Sequence, residues 1–152
     1  MKKYDYFVSG RWRNRDQIKE VVRRLRSMDH RVYCFIENSF DSDGIFFATD
    51  DQADPDAMME AFEKITDWQA NPTFRQIFET DMQALRESVA LVLVFPAGLA
   101  AHMELGAAYG MGMACYGIGV PAKPETLYLM FESIHPDLDS FCNQIKVSPK
   151  VL

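Results

Sequence analysis

The sequence predicts an α/β fold of three layers, with a central parallel sheet of about five strands between helices on both faces. Three observations predict it. Short β-branched or aromatic runs alternate with helical stretches along most of the 152 residues. The run VALVLVF (89–95) lacks polar alternation, as expected of a strand buried on both faces of a parallel sheet. The connections between most of these segments are short, as right-handed crossovers in such sheets require.

The elements follow in order. YDYFVSG (4–10) reads as a strand running into a glycine turn. Between Asn14 and Met28, the residues Ile18, Val21, Val22 and Leu25 recur at helical spacing among charges, which predicts an amphipathic helix. RVYCFI (31–36) is β-branched and aromatic, a second strand. Residues 37–53 gather acidic and small residues around GIFFAT and read as a long loop. Asp54 followed by Pro55, and Asn71 followed by Pro72, are N-cap signals with proline at the first helical position. The second of these helices should end near Ser88 and lead into the 89–95 strand. A PAG turn and a small-residue helix, AAHMELGAAYGMGM, follow. CYGIGV (115–120) reads as a fourth strand, ETLYLMF as a short helix, 132–135 as a brief strand, and a last helix starts at Asp137.

Composition bounds the function. Residues 1–152 fit one domain, with 48% hydrophobic and 25% charged residues, which excludes disordered and fibrous classes. The longest apolar stretch, 89–101, is interrupted by Pro96 and is too short for a membrane span. A net charge of −6 argues against a nucleic-acid polymer as partner. Cys34, Cys115 and Cys142 are few, distant and odd in number, which implies reduced thiols and a cytoplasmic location; no secretory signal is read at the start.

Ligands of such sheets bind at the carboxyl ends of the strands. After the first strand, SGRWRNRD (9–16) offers a sharp turn at Gly10 and three guanidinium groups, Arg11, Arg13 and Arg15, able either to hold an anion or to form a solvated basic turn. It contains neither a dinucleotide fingerprint nor a phosphate-binding Walker loop. After the third strand, Gly98 and its small neighbours permit close approach of a ligand, and Glu104 stands alone in an apolar helix. Asp81 borders the buried stripe of the preceding helix, and chain direction can bring it to the same end of the sheet as Glu104. Two converging carboxylates can divide the work of breaking a glycosidic bond; Asp81 reads equally as a surface acid and Glu104 as a helix-dipole partner. His102 lies about 200° round the helix from Glu104 and reads as surface or packing. No spacing suggests zinc, calcium or a serine triad, and no cofactor is expected.

YDYFVSGR, ETDMQALRESVALVLVF and FPAGLAAHMELGAAYGMGM together resemble the nucleoside 2-deoxyribosyltransferase-like family, which includes deoxynucleoside 5′-monophosphate N-glycosidases. The last of the three, with its ELG-x-A helix, is the most specific. The resemblance implies a flavodoxin-like fold and Glu104 as nucleophile on the anomeric carbon, forming a glycosyl-enzyme. It implies Asp81 as ligand of the sugar hydroxyls and Tyr6 as a hydrogen-bonding companion of Glu104. Ser9, Gly10 and Arg11 would line the sugar's 5′ side, with amides offered from the Gly98–Ala100 turn. The implied partner is a small nucleoside or nucleotide, with the site completed by a neighbouring subunit in a homodimer. The chain departs from some relatives in carrying Gly98 for an Asp or Ser, and Ala100 and Ala101 near the nucleophile.

Two functions of different class therefore stand side by side. One is transfer or hydrolysis of an N-glycosidic bond. The other is a nucleotide-binding or sensing module on the same fold, without turnover. An interaction-only protein would instead expose a large apolar patch and gain no stability from nucleotides.

Overall fold

The computed structural model describes residues 1–38 and 54–147. Five strands lie among them: β1 (Tyr4–Ser9), β2 (Val32–Cys34), β3 (Ser88–Val94), β4 (Ala114–Ile118) and β5 (Ser133–His135). They form one all-parallel sheet in the order β2-β1-β3-β4-β5. Strand order reverses between β1 and β3, so a crevice opens at their carboxyl ends. The helices are α1 (Arg15–Ser27), α2 (Pro55–Glu63), α3 (Pro72–Arg86), α4 (Leu99–Gly110) and α5 (Leu138–Val147).

Alternation along β1 and β3 sorts the core into two layers, because successive side chains of a strand point to opposite faces. Val8, Val92 and Val94 pack with Ile18, Val21 and Leu25 of α1 and with Phe141 of α5. Phe7, Leu91 and Leu93 pack on the other face with Leu85 of α3 and with Ala101, Leu105 and Ala108 of α4. That makes three layers, with β3 supplying apolar residues to both. Only Val89, near its amino end, is substantially exposed, at 44%.

Both proline-marked helix starts form as the capping chemistry requires. The Asp54 carboxylate accepts from the Asp56 amide at 3.0 Å, and the Asn71 side chain accepts from Thr73 and Phe74. The second strand is shorter than 31–36. Its pairing with β1 ends at Val8 opposite Cys34, and Phe35–Glu37 turn into a 3-10 helix. β4 stops at Ile118 rather than at 120, since Gly119 adopts φ +104°, and a Cβ there would stand 3.2 Å from the Phe95 carbonyl oxygen. The ETLYLMF segment is a 3-10 turn, Thr126–Met130. Most of the loop read at 37–53 falls on residues 39–53, outside the described residues. Among the described residues, no helix is long and apolar enough to cross a membrane, and no cluster of three metal-ligating side chains occurs.

Candidate functional site

The crevice at the β1/β3 switch point holds a cavity of about 540 Å³. Polar or backbone groups reach its wall from Gly10, Arg11 and Arg13 after β1, Glu63 of α2, Asp81 of α3, the Gly98–Ala101 start of α4, and Glu104 one turn further along α4. Phe35, Met59, Phe62, Ile77 and Leu99 make the rest mostly apolar. A cavity of this size with few convergent polar groups is the usual form of a small-molecule site.

Ser9 closes β1 and is fully buried, and its hydroxyl donates to Glu104 Oε2. Parity explains this contact: Ser9 shares a sheet face with Phe7, the face that α3 and α4 cover. Burial pushes the Glu104 carboxyl up to about 7, the Ser9 hydrogen bond opposes the rise, and the nearby Asp81 charge adds to it. Asp81 is also raised by burial, countered by a hydrogen bond from the Tyr33 hydroxyl to Oδ1 at 2.5 Å. The cavity thus brings together two half-buried carboxyls, Glu104 feeling the charge of Asp81, with Ser9 donating to the first and Tyr33 to the second.

The start of α4 has no side-chain cap at Gly98, and the cavity wall includes Gly98, Leu99, Ala100 and Ala101. First-turn amides, free of intrahelical partners, therefore stand near the cavity with the positive end of the helix dipole. At Gly10 a Cβ would come within 2.6 Å of Ile18 Cδ1, so a larger residue there would force that buried side chain to shift. The Asn14 side chain donates to the Phe95 carbonyl at 3.3 Å and ties the β1 turn to the end of β3.

Several sequence expectations meet a different arrangement. Tyr6 does not accompany Glu104. It lies in the α1/α5 layer, edge-on to His30 and Phe141 at ring distances of 5.1 and 6.0 Å, and burial pushes its hydroxyl up to about 12. The reason is alternation: Tyr6 shares its face with Val8, opposite to Ser9. Ser9, expected on the sugar's 5′ side, is the hydroxyl that reaches Glu104. Of the three arginines in the turn, Arg15 stacks its guanidinium on Trp12 at 5.7 Å, whereas Arg11 and Arg13 both line the cavity, Arg13 in an exposed pair with Asp56 at 2.6 Å. Tyr33 and Asn38 were not read from the sequence; the signal available was that β2, beside β1, would set Tyr33 opposite Phe7. His102 packs as expected, its Nδ1–H donating to the Gly98 carbonyl at 2.7 Å and its Nε2 accepting from Tyr128 at 2.9 Å.

No protein-family model matches the chain, and no curated protein matches it. Among solved structures, that of a 2-deoxyribosyltransferase from the psychrotolerant bacterium Bacillus psychrosaccharolyticus is similar, with a TM-score of 0.61 over 95% of this chain and 92% of that one. Identity between the two is 14%, and the likeness establishes a shared three-layer α/β fold. That neighbour is described as a biocatalyst for the synthesis of antiviral and antitumoral nucleosides.

Proposed function

We propose that the protein transfers or hydrolyses the N-glycosidic bond of a (deoxy)nucleoside or its 5′-monophosphate. The observation that carries this reading is the pair of carboxyls, Glu104 and Asp81, on one wall of a cavity sized for a small molecule. The fold shared with a 2-deoxyribosyltransferase supports it. In the first step a Glu104 carboxylate oxygen attacks C1′ of the sugar. The C1′–N bond breaks, its electron pair leaves with the base, and the base takes up a proton from solvent. In the second step a nitrogen of another base, or water, attacks C1′ and loses its proton to solvent, and the C1′–O bond to Glu104 breaks and frees the carboxylate. Asp81 accepts hydrogen bonds from sugar hydroxyls, and the Gly10–Arg11 turn and the Gly98–Ala100 amides hold the 5′ side. The apolar wall of Phe35, Met59 and Phe62 takes the planar base.

The exposed α4 residues Leu99, Met103 and Tyr109, at 78%, 67% and 56%, support a homodimer built on this face. The reading places the reaction in the cytoplasm with no cofactor. Incubation with deoxynucleosides plus a free base, and separately with deoxynucleotides, distinguishes transfer from hydrolysis. Base release that disappears in Glu104→Ala supports the reading; equal release by wild type and variant refutes it.

The absence of a side-chain cap at Gly98, together with Ala100 and Ala101 beside it, favours a second reading, a binding module without turnover. A thermal shift with nucleotides, unaccompanied by base release on long incubation, would select it.

A further inference from the structure

We propose that Tyr33 is the positioning residue for Asp81, with its phenol oriented by Asn38; the inference rests on the glycosidic reading only for its kinetic consequence. Three atoms stand in a row. The Asn38 Nδ2 group donates to the Tyr33 oxygen at 2.6 Å, and the Tyr33 hydroxyl donates to Asp81 Oδ1 at 2.5 Å. Because the amide nitrogen can only donate, it occupies a lone pair of the phenol and directs the single phenolic proton to the carboxylate.

The ring that carries this hydroxyl is fixed independently of it. Tyr33 is 7% exposed, stacks on Phe7 at 5.0 Å with planes 25° apart, and meets Tyr4 edge-on at 5.5 Å. Phenylalanine would supply all of that packing. What phenylalanine cannot supply is the donor, which holds one oxygen of Asp81 and leaves the other for a ligand in the cavity that Asp81 lines. A mobile carboxylate would lose both its orientation and part of its charge, since burial disfavours the ionised form. The groups facing Asp81 are Tyr33 from β2 and Glu104 from α4, with Arg11 and Arg13 of the segment after β1 and Glu63 of α2 on the same cavity wall.

The test follows the Asp81 side-chain carboxyl by carbon NMR across pH, with the signal assigned by its loss in Asp81→Asn. Tyr33→Phe is expected to move the midpoint up by about 1 to 2 pH units, the worth of a hydrogen bond to a charged group. Asn38→Ala, which leaves the ring untouched, is expected to move it the same way by less. In base release, Tyr33→Phe is expected to raise KM for the nucleoside about 10- to 100-fold. kcat should stay within about threefold, and no further rise should appear in the Asp81→Asn background, because residues acting through one group do not add. An unmoved midpoint in Tyr33→Phe overturns the positioning role, as does a KM effect that multiplies with Asp81→Asn. The titration decides that role by itself, whereas failure of the wild type to release any base counts against the glycosidic reading alone.

Discussion

Ser9→Ala removes the hydrogen bond that Ser9 gives Glu104 and leaves a methyl group in a fully buried position at the end of β1. That bond lowers the Glu104 pKa against burial and the Asp81 charge, and with it in place the carboxyl stands at about 7. A hydrogen bond to a charged group contributes roughly 1.5–3 kcal/mol, and one pKa unit corresponds to about 1.4 kcal/mol. Losing the bond therefore raises Glu104 by about 1 to 2 units, to about 8 or 9. A nucleophile must be ionised, so at pH 7 the competent fraction falls from about one half to between roughly 10% and 1%. Base release measured from pH 5.5 to 9.5 should show the acid limb of kcat/KM displaced upward by that amount. The rate at pH 7 should drop about 5- to 50-fold, while the alkaline plateau is retained. An unchanged acid limb, or a loss equal at every pH, would refute the assignment of Ser9 as the group that keeps Glu104 ionised.

Three further outcomes follow from the same geometry. Glu104 is raised from 4.5 to about 7 on folding, so its ionisation weakens the folded state as pH rises through that window, and none of this cost is present below 4.5. Glu104→Gln should accordingly melt above the wild type at pH 8, with the gap closing toward pH 4.5, as calorimetry at several pH values can check. Tyr6→Phe should leave the kinetics of base release within about twofold of wild type, because the side chain lies in the α1/α5 layer; a large loss would place its hydroxyl in the reaction after all. Gly10→Ala puts a methyl group 2.6 Å from the fully buried Ile18, and urea unfolding should register a loss of about 1–3 kcal/mol, typical of overpacking.

The parts of the fold written in local chemistry were legible in the sequence. Asp54–Pro55 and Asn71–Pro72 start helices through caps that involve residues only two or three positions away. The unalternating 89–95 run does become a central strand, spanning Ser88–Val94, because both sheet faces are covered. The helix and strand directions allowed Asp81 and Glu104 to meet at one end of the sheet, though Asp81 read equally as a surface acid, and both do line the cavity. What escaped depended on which face a side chain takes or on distant partners. Tyr6 and Ser9 are three residues apart in one strand, and the parity of β1 gives the Glu104 face to Ser9. The role of Tyr33 arises from its register opposite Phe7 and from a helix 48 residues away. Arg13 looked available to an anion because Asp56, its ion-pair partner, sits beyond the long loop.

Mass spectrometry of the protein quenched in acid during turnover of a deoxynucleoside addresses the proposed covalent step most directly. A deoxyribosyl adduct is expected on the peptide bearing Glu104, absent from Glu104→Ala and discharged when free base is added. Steady base release without an adduct, or an adduct on another side chain that survives in Glu104→Ala, would contradict that step.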